Sequence, residues 1–194
     1  MIRSICFGVA TAALLFVLSA CGEEDIAAVA ARQSGTAPGC ASGTAIGALC
    51  GGGKLFDTAY QGSTYLVMSL TDMVSTKWRV DLNATSNASD TADGRNNTGT
   101  FNASHPASQA CQDKTEGGAK DWYLPAMAEL QSIGNRNASA GLGLNTGNVY
   151  WSSNQGVFPS GALAMSNSTS VWAQTEINKD ALNTVRCIRR PTVK

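Results

Sequence analysis

The chain has 194 residues, and its 14 Lys and Arg residues balance 14 Asp and Glu residues, so the formal net charge at neutral pH is zero. This length allows one domain with a substantial core. Because a phosphate backbone requires a basic surface, the balanced charge gives no indication of a nucleic-acid partner.

The amino terminus has the pattern of a bacterial lipoprotein signal. Arg3 precedes an uncharged apolar run at residues 5–17, and residues 18–20 (Leu, Ser, Ala) lead directly into Cys21. The alternatives are an ordinary secretory signal or a membrane span, but a span needs roughly 20 apolar residues. We therefore expect residues 1–20 to be removed and Cys21 to carry lipid, with palmitate among its acyl groups, as a membrane anchor.

The residues after the anchor predict a location and a tether. Gly22 stands where Asp would signal retention in an inner membrane, so the protein is expected in the outer membrane if the cell is Gram-negative. Residues 21–39 are mostly small and polar and predict a flexible tether. We expect the folded domain to comprise residues 40–194, in the bacterial cell envelope.

Four further cysteines belong to the predicted domain: Cys40, Cys50, Cys111 and Cys187. An even number in an oxidising compartment favours two disulfides. Four cysteines allow three pairings, among which we favour a local Cys40–Cys50 link and a long-range Cys111–Cys187 link. The alternative is a metal site, but no pair has the short spacing of a zinc loop, and His105 is the single histidine.

The pattern of the domain predicts strands, then two helices, then strands, which is an α+β order. Strands are expected at residues 54–60 and 64–70 as a hairpin, and later at residues 149–153, 170–175 and 183–189. One helix is expected at residues 104–114 with Ser104 as its cap. A second is expected at residues 125–133, with Pro125 in its first turn and Gly134 as its stop.

Residues 81–105 are rich in Asn, Ser, Thr, Asp and Gly and predict a long surface loop. Within it, Asp90, Asp93 and Asn96 offer oxygen ligands, which raises the possibility of calcium. The segment lacks the alternating ligands and distal Glu of an EF-hand, and a turn capped by its own side chains explains it equally well. We predict no cofactor, with calcium as the alternative.

Four motifs occur in a fixed order: Asp121–Pro125, Glu129–Leu130, Tyr150–Ser153 and Val185–Arg189. Together they resemble the Lcl C-terminal domain family, named for the terminal domain of a bacterial collagen-like adhesin, over roughly residues 39–191. The resemblance implies a C-type-lectin-like fold, in which two helices pack on a small antiparallel sheet with long polar loops. It also implies a disulfide from the first helix to the last strand, which matches Cys111 and Cys187.

The same resemblance implies that the motif residues are structural. These residues are Trp122, Leu124, Pro125, Glu129, Leu130, Tyr150, Trp151, Ser152 and Arg186. The chain lacks the Glu-Pro-Asn, Gln-Pro-Asp and Trp-Asn-Asp segments of calcium-dependent sugar-binding lectins. Calcium-dependent monosaccharide recognition is therefore not expected.

We predict a surface-anchored lipoprotein with a lectin-like domain that binds glycan or anionic polysaccharide in adhesion. An exposed aromatic ring stacks on a sugar, and amides or carboxylates bind hydroxyl groups. The candidate contacts of this kind are Trp78, Asn154, Trp172, Gln174, Glu176 and Asn178. The end of the chain carries a basic cluster, which comprises Arg186, Arg189, Arg190 and Lys194. We predict that this cluster is a solvated edge, with an anionic-polysaccharide contact as the alternative.

Two other classes of function are the alternatives. The first is an envelope structural or protein-interaction module without carbohydrate binding, which exposed apolar area on the loops would favour. The second is an enzyme, but the chain has no nucleophile motif such as Gly-x-Ser-x-Gly, and His105 is the lone candidate base. We predict that the protein is not an enzyme.

Overall fold

The computed structural model describes residues 38–167 and 171–194, and all but the last two residues of the predicted signal, anchor and tether lie outside these ranges. The described residues form nine strands and three α-helices. The strands are β1 Leu49–Cys50, β2 Gly53–Tyr60, β3 Thr64–Met68, β4 Met73–Thr76, β5 Tyr150–Gln155, β6 Gly161–Asn167, β7 Trp172–Asn178, β8 Asn183–Val185 and β9 Ile188–Arg189. The helices are α1 Gly94–Thr98, α2 Pro106–Gln112 and α3 Met127–Ala140, and a short 3-10 turn lies at Glu116–Gly118.

The expected C-type-lectin-like arrangement of two helices on a small sheet is wrong. The described chain is mostly β, with two curled sheets of four and five strands in a sandwich-like arrangement. Two of the three helices have only five and seven residues. The sequence did not predict β6, because its residues GALAMSN include helix-favouring Ala, Leu and Met and no β-branched side chain. Pairing with two neighbouring strands decides its conformation.

The four-stranded sheet has the order β1-β2-β3-β9. The predicted hairpin is confirmed: β2 and β3 pair in antiparallel fashion, and Tyr60 faces Thr64 across the turn. Gln61 and Gly62 form that turn with φ values of 50° and 103°, the left-handed region that Gly adopts readily. The β-branched and aromatic composition of the two strands was sufficient to predict them.

The five-stranded sheet has the order β4-β8-β5-β6-β7, with β5 and β8 parallel and the other pairs antiparallel. The single strand expected at residues 183–189 is divided into β8 and β9, which belong to different sheets. Between them, Arg186 and Cys187 carry the chain from one sheet to the other, and both are buried. Long-range partners of these two residues, rather than strand propensity, determine this crossing.

Apart from Asp121, which is exposed, the residues of the four motifs lie in the interior, as the resemblance implies for structural residues. Trp122, Leu124 and Trp151 belong to one hydrophobic cluster, whereas Tyr150 and Leu130 belong to a second. The remaining motif residues, Pro125, Glu129, Ser152 and Arg186, are also buried. The motifs therefore supply the packing that joins the two sheets.

Helix α3 continues beyond the stop expected at Gly134 and ends at Ala140, with Gly141 as its C-cap in the left-handed conformation, φ 57°. Gly134 is needed for close packing instead, because a Cβ there would lie 2.8 Å from the Cβ and Cγ of Trp172. Helix α2 begins at Pro106, and its N-cap is His105 rather than Ser104. Helix α3 contacts both sheets, through β2 on one side and β5, β6 and β7 on the other.

Both predicted disulfide pairs are present, Cys40–Cys50 and Cys111–Cys187. The second joins α2 to the crossing between β8 and β9. The Cys40 N–H donates to Thr192 O, and the Lys194 N–H donates to Cys40 O, so the beginning and end of the domain lie side by side. Among the described residues, the helices are too short and too polar to cross a bilayer.

Candidate ligand-binding site

Two of the six predicted ligand contacts are buried. Trp78 and Asn154 are each 1% exposed. Trp78 Nε1 donates to Ser152 O at 2.8 Å. Asn154 Oδ1 accepts from Met127 N at 2.8 Å, and its Nδ2 donates to Asp90 O at 2.8 Å. Their polar atoms are used by the backbone, so the prediction that these two residues contact ligand is wrong.

The other four predicted contacts lie on strand β7, at the edge of the five-stranded sheet. Trp172, Gln174, Glu176 and Asn178 alternate along the strand, so their side chains point to one face. A strand rises about 3.3 Å per residue, which places Asn178 roughly 20 Å from Trp172. The structure therefore puts these residues on one face but does not bring both ends of the strand into one site.

Trp172 lies where β7 meets helix α3. Its partly exposed indole packs against Gly134, where the absence of a side chain permits contact with the helix. On its inner side the ring is tilted against Tyr150, with centroids 5.9 Å apart. One part of the indole is thus fixed by the core, while another part faces solvent.

A cavity of about 550 Å³ opens beside this indole, and we call it the Trp172 groove. Its lining residues come from α3, the loop after α3, the end of β6 and the start of β7: Gly134, Asn135, Asn137, Ala138, Thr146, Asn167, Val171 and Trp172. The volume lies within the range of small-molecule sites, roughly 300–1,000 Å³. Among these described lining residues, none has an ionisable side chain.

Amide and hydroxyl groups supply the polar part of the Trp172 groove. Asn137 Oδ1 accepts from Leu144 N at 2.7 Å, and its Nδ2 donates to Leu144 O at 3.1 Å, so this amide fixes the wall of the groove. Asn135 and Thr146 are exposed. Sequence reasoning found Trp172 but missed Asn135, Thr146 and Asn167, because these residues come from three separate segments with no shared motif.

Glu176 has a structural contact that the sequence did not reveal. Its Oε1 accepts from Phe158 N at 2.9 Å. The carboxylate occupies the space that a side chain at Gly156 or Gly161 would need. Glu176 therefore holds the turn between β5 and β6, whereas Gln174, its neighbour toward Trp172 on the same face, is exposed.

The basic cluster at the end of the chain is not a solvated edge. Arg186 and Arg189 are each 2% exposed. The Arg186 guanidinium is 2.6 Å from Asp72, and the Arg189 guanidinium is 2.6 Å from Asp121. Each acidic partner is distant in sequence, so strand alternation could not reveal it. With these charges paired, only Lys194 of the cluster is exposed, and the alternative of an anionic-polysaccharide contact there is not supported.

Glu129 is the centre of a buried polar cluster. Its Oε2 accepts from Gly94 N at 3.0 Å and from Ala126 N at 2.9 Å. Its Oε1 accepts from Tyr123 Oη at 2.8 Å and from Arg190 Nη2 at 3.0 Å. Burial raises the pKa of Glu129, although these hydrogen bonds oppose the shift. Because the carboxylate is fully buried, we assign it a structural role, joining α1, α3 and the end of β9.

The candidate calcium ligands form a capped turn. Asp90 Oδ1 accepts from Ala92 N and Asp93 N, each at 2.9 Å, and its Oδ2 accepts from Asn96 Nδ2 at 2.8 Å. Asp93 Oδ1 accepts from Arg95 N at the start of α1. The hydrogen bond from Asn96 is the main cause that lowers the pKa of Asp90. Within the two described ranges, no group of three or more His, Cys, Asp or Glu residues is placed to hold a metal ion.

His105, the lone candidate base, is buried rather than solvated. It is 3% exposed and stacks on Phe101, with ring centroids 4.2 Å apart. Burial, followed by the positive charges of Arg79 and Lys179, lowers the pKa of His105 to about 4. The side chain is therefore neutral at pH 7 and serves the core of the loop that contains α1.

The His105 pKa predicts a loss of stability on acidification. An unfolded His, with a pKa of about 6.5, takes up a proton below that pH, whereas the folded protein does not do so until about pH 4. The free energy of unfolding should therefore fall by about 2 kcal/mol between about pH 7 and about pH 5. Urea unfolding across this range measures it, with His105→Gln as the comparison.

Because the chain has one histidine, the difference in pH slope between the unmodified protein and His105→Gln reports the contribution of His105. The raised pKa of Glu129 acts with the opposite sign, since the folded state then takes up its proton first. An unchanged pH slope in His105→Gln would contradict the assignment.

Comparisons with known proteins give little further guidance. No family model matches the chain, and no curated protein matches it. One solved structure with a likeness is that of a fimbrial protein from Bacteroides ovatus, at 16% sequence identity and a TM-score of 0.49. The likeness covers 67% of this chain and 36% of that one, so this chain spans about a third of its length. A score below 0.5 does not establish a shared fold.

Proposed function

We propose that this protein is a lipid-anchored protein of the bacterial envelope whose domain binds glycan in the Trp172 groove. The observation that carries the proposal is the combination of a partly exposed indole with amide and hydroxyl groups in one concave site. The face of an aromatic ring packs on the C–H face of a sugar, while Asn and Thr both donate to and accept from hydroxyl groups. Surface attachment of such a domain would serve adhesion.

The envelope location rests on the sequence around Cys21 and on the disulfides. The predicted signal and lipidation site would place the protein at a membrane, facing an oxidising compartment in which two structural disulfides persist. In a Gram-negative cell, Gly22 predicts the outer membrane. The resemblance to the Lcl C-terminal domain family remains a hypothesis on the four motifs.

The test is a glycan array with the mature protein prepared without its lipid anchor, in oxidising buffer, with and without calcium. We expect reproducible binding to a coherent set of glycans that weakens at least about 30-fold in Trp172→Ala, the effect of removing a contact worth about 2 kcal/mol. Asn135→Ala should weaken the binding of the same glycans without affecting the core. Circular dichroism and thermal unfolding check that each variant folds.

Phe158→Ser is the matched control, because this exposed aromatic residue lies on the turn between β5 and β6, outside the Trp172 groove. Its glycan binding should equal that of the unmodified protein. No binding by the folded, disulfide-bonded protein, or binding that Phe158→Ser removes and Trp172→Ala leaves intact, would contradict a glycan site in the groove.

A second candidate function, a protein-interaction module, is supported by that same turn. Val157 is 87% exposed and Phe158 is 66% exposed, although the backbone that carries them is firmly held. Glu176 binds Phe158 N, and Gln155 Nε2 donates to Phe158 O at 3.0 Å. Lys179 Nζ, buried beside the Trp78 ring, donates to Pro159 O. An exposed aromatic residue on a fixed turn is typical of contacts with a protein partner.

A further inference from the structure

We infer that the Trp172 groove takes a neutral glycan, built of hexose or N-acetylhexosamine units, rather than an anionic polysaccharide. The inference rests on the proposed function and specifies its substrate class. Specific sites for a carboxylate or sulfate group use Arg or Lys side chains, with Arg often bidentate. The lining of the groove, as far as the structure describes it, offers amides, one hydroxyl group and small apolar side chains instead.

Two cations at helix α3 are directed away from the groove. Arg136 lies between two lining residues of α3, but its Nη1 is 3.4 Å from the Asp57 carboxylate and also donates to Ser132 Oγ. Lys54 Nζ donates to Gly141 O at 2.8 Å, at the end of α3.

The helix that forms one wall of the groove offers no attraction to a negative ligand. The lining residues of α3, from Gly134 to Ala138, lie in the second half of the helix, toward its end at Ala140. The carboxyl end of a helix carries a partial negative charge, equivalent to about half an elementary charge. The Lys54 ammonium bound to Gly141 O offsets part of this charge, so the helix gives an anionic group no attraction, and none of the described lining residues supplies a cation.

The apolar part of the groove fits the uncharged parts of a sugar. Ala138 and Val171 lie with Trp172 in the lining, and Val171 is 63% exposed. These side chains can cover C–H groups or the methyl group of an N-acetyl substituent. The amides of Asn135 and Asn167 can donate and accept, as neighbouring sugar hydroxyl groups require.

Titration calorimetry with two sets of oligosaccharides tests the inference on the soluble mature protein. The neutral set contains chitotetraose, cellotetraose and maltotetraose, and the anionic set contains hyaluronan, heparin and alginate fragments of similar length. We expect binding within the neutral set that is lost in Trp172→Ala and that changes less than about twofold between about 50 mM and about 300 mM NaCl.

Asn135→Asp is the charge probe, since it adds a negative charge with little change in shape. A neutral glycan should lose less than about fivefold in affinity, whereas an anionic one should lose more than about tenfold. Binding confined to the anionic set, lost in Trp172→Ala and strongly reduced by salt, would overturn this inference and leave the proposed function standing. Absence of binding to both sets would overturn this inference and the proposed function together.

Discussion

Gly94→Ala is expected to destabilise the domain by about 3–5 kcal/mol, or to prevent folding. Gly94 is the buried first residue of α1, and a Cβ at this position would overlap the backbone of Leu124 and Ala126. The added atom would also lie 2.9 Å from Glu129 Oε2, the atom that accepts the hydrogen bond from Gly94 N. Backbone and a fully buried carboxylate cannot move aside cheaply, so overpacking and a lost hydrogen bond combine.

Gly99→Ala is the matched control for that substitution. Gly99 is the exposed C-cap of α1, with φ −63°, a conformation that Ala adopts without strain. Its nearest contact for an added Cβ is Arg95 O at 3.3 Å. We expect a change within about 0.5 kcal/mol, or a small gain from the reduced freedom of the unfolded chain. Urea unfolding of both variants measures the two changes in the free energy of unfolding. Equal changes at the two positions would contradict the packing described around Glu129.

Removal of the Cys111–Cys187 disulfide by double substitution with Ala should cost about 4–5 kcal/mol, against about 3 kcal/mol for Cys40–Cys50. The first pair is separated by 76 residues and the second by 10, and the entropy that a cross-link removes from the unfolded chain increases with the length of the loop. Both cysteines of the long-range pair are fully buried.

Urea unfolding of the two double variants, with the unmodified protein in oxidising buffer, measures this difference. Reduction of the unmodified protein should cost more than either double variant, and the difference from the sum of the two losses measures the coupling between the pairs, since cysteines of both pairs belong to one hydrophobic cluster. A larger cost for the Cys40–Cys50 pair would show that loop length does not govern the stability of this domain.

The predictions from sequence were accurate where local signals dominate. The strands on either side of Gly62 were evident from β-branched and aromatic residues, and their pairing follows from a short turn. The predictions from sequence were wrong where long-range partners decide the conformation. β6 is a strand because it lies between β5 and β7, and α3 continues through Gly134 because Trp172 packs there.

The candidate site shows the same division. Trp172 and its strand were found from the sequence, because an aromatic residue within a β pattern is a local feature. Trp78 is predicted as a contact only because it is aromatic, and it is buried, since its environment depends on Phe101 and His105 in a loop. The charge of Arg186 is hidden by Asp72, 114 residues earlier in the chain. No local sequence pattern predicts such a pairing.

The adjacency of Cys40 and Lys194 has a practical consequence for the proposed membrane attachment. The predicted tether from Cys21 contains about 19 residues, so a coil of this composition would hold Cys40 at an average of about 25 Å from the lipid. A fluorophore attached at Lys194 would share that position, beside the point where the tether enters the domain. Energy transfer from this site to a labelled bilayer would therefore measure the height of the domain above the membrane without altering the Trp172 groove.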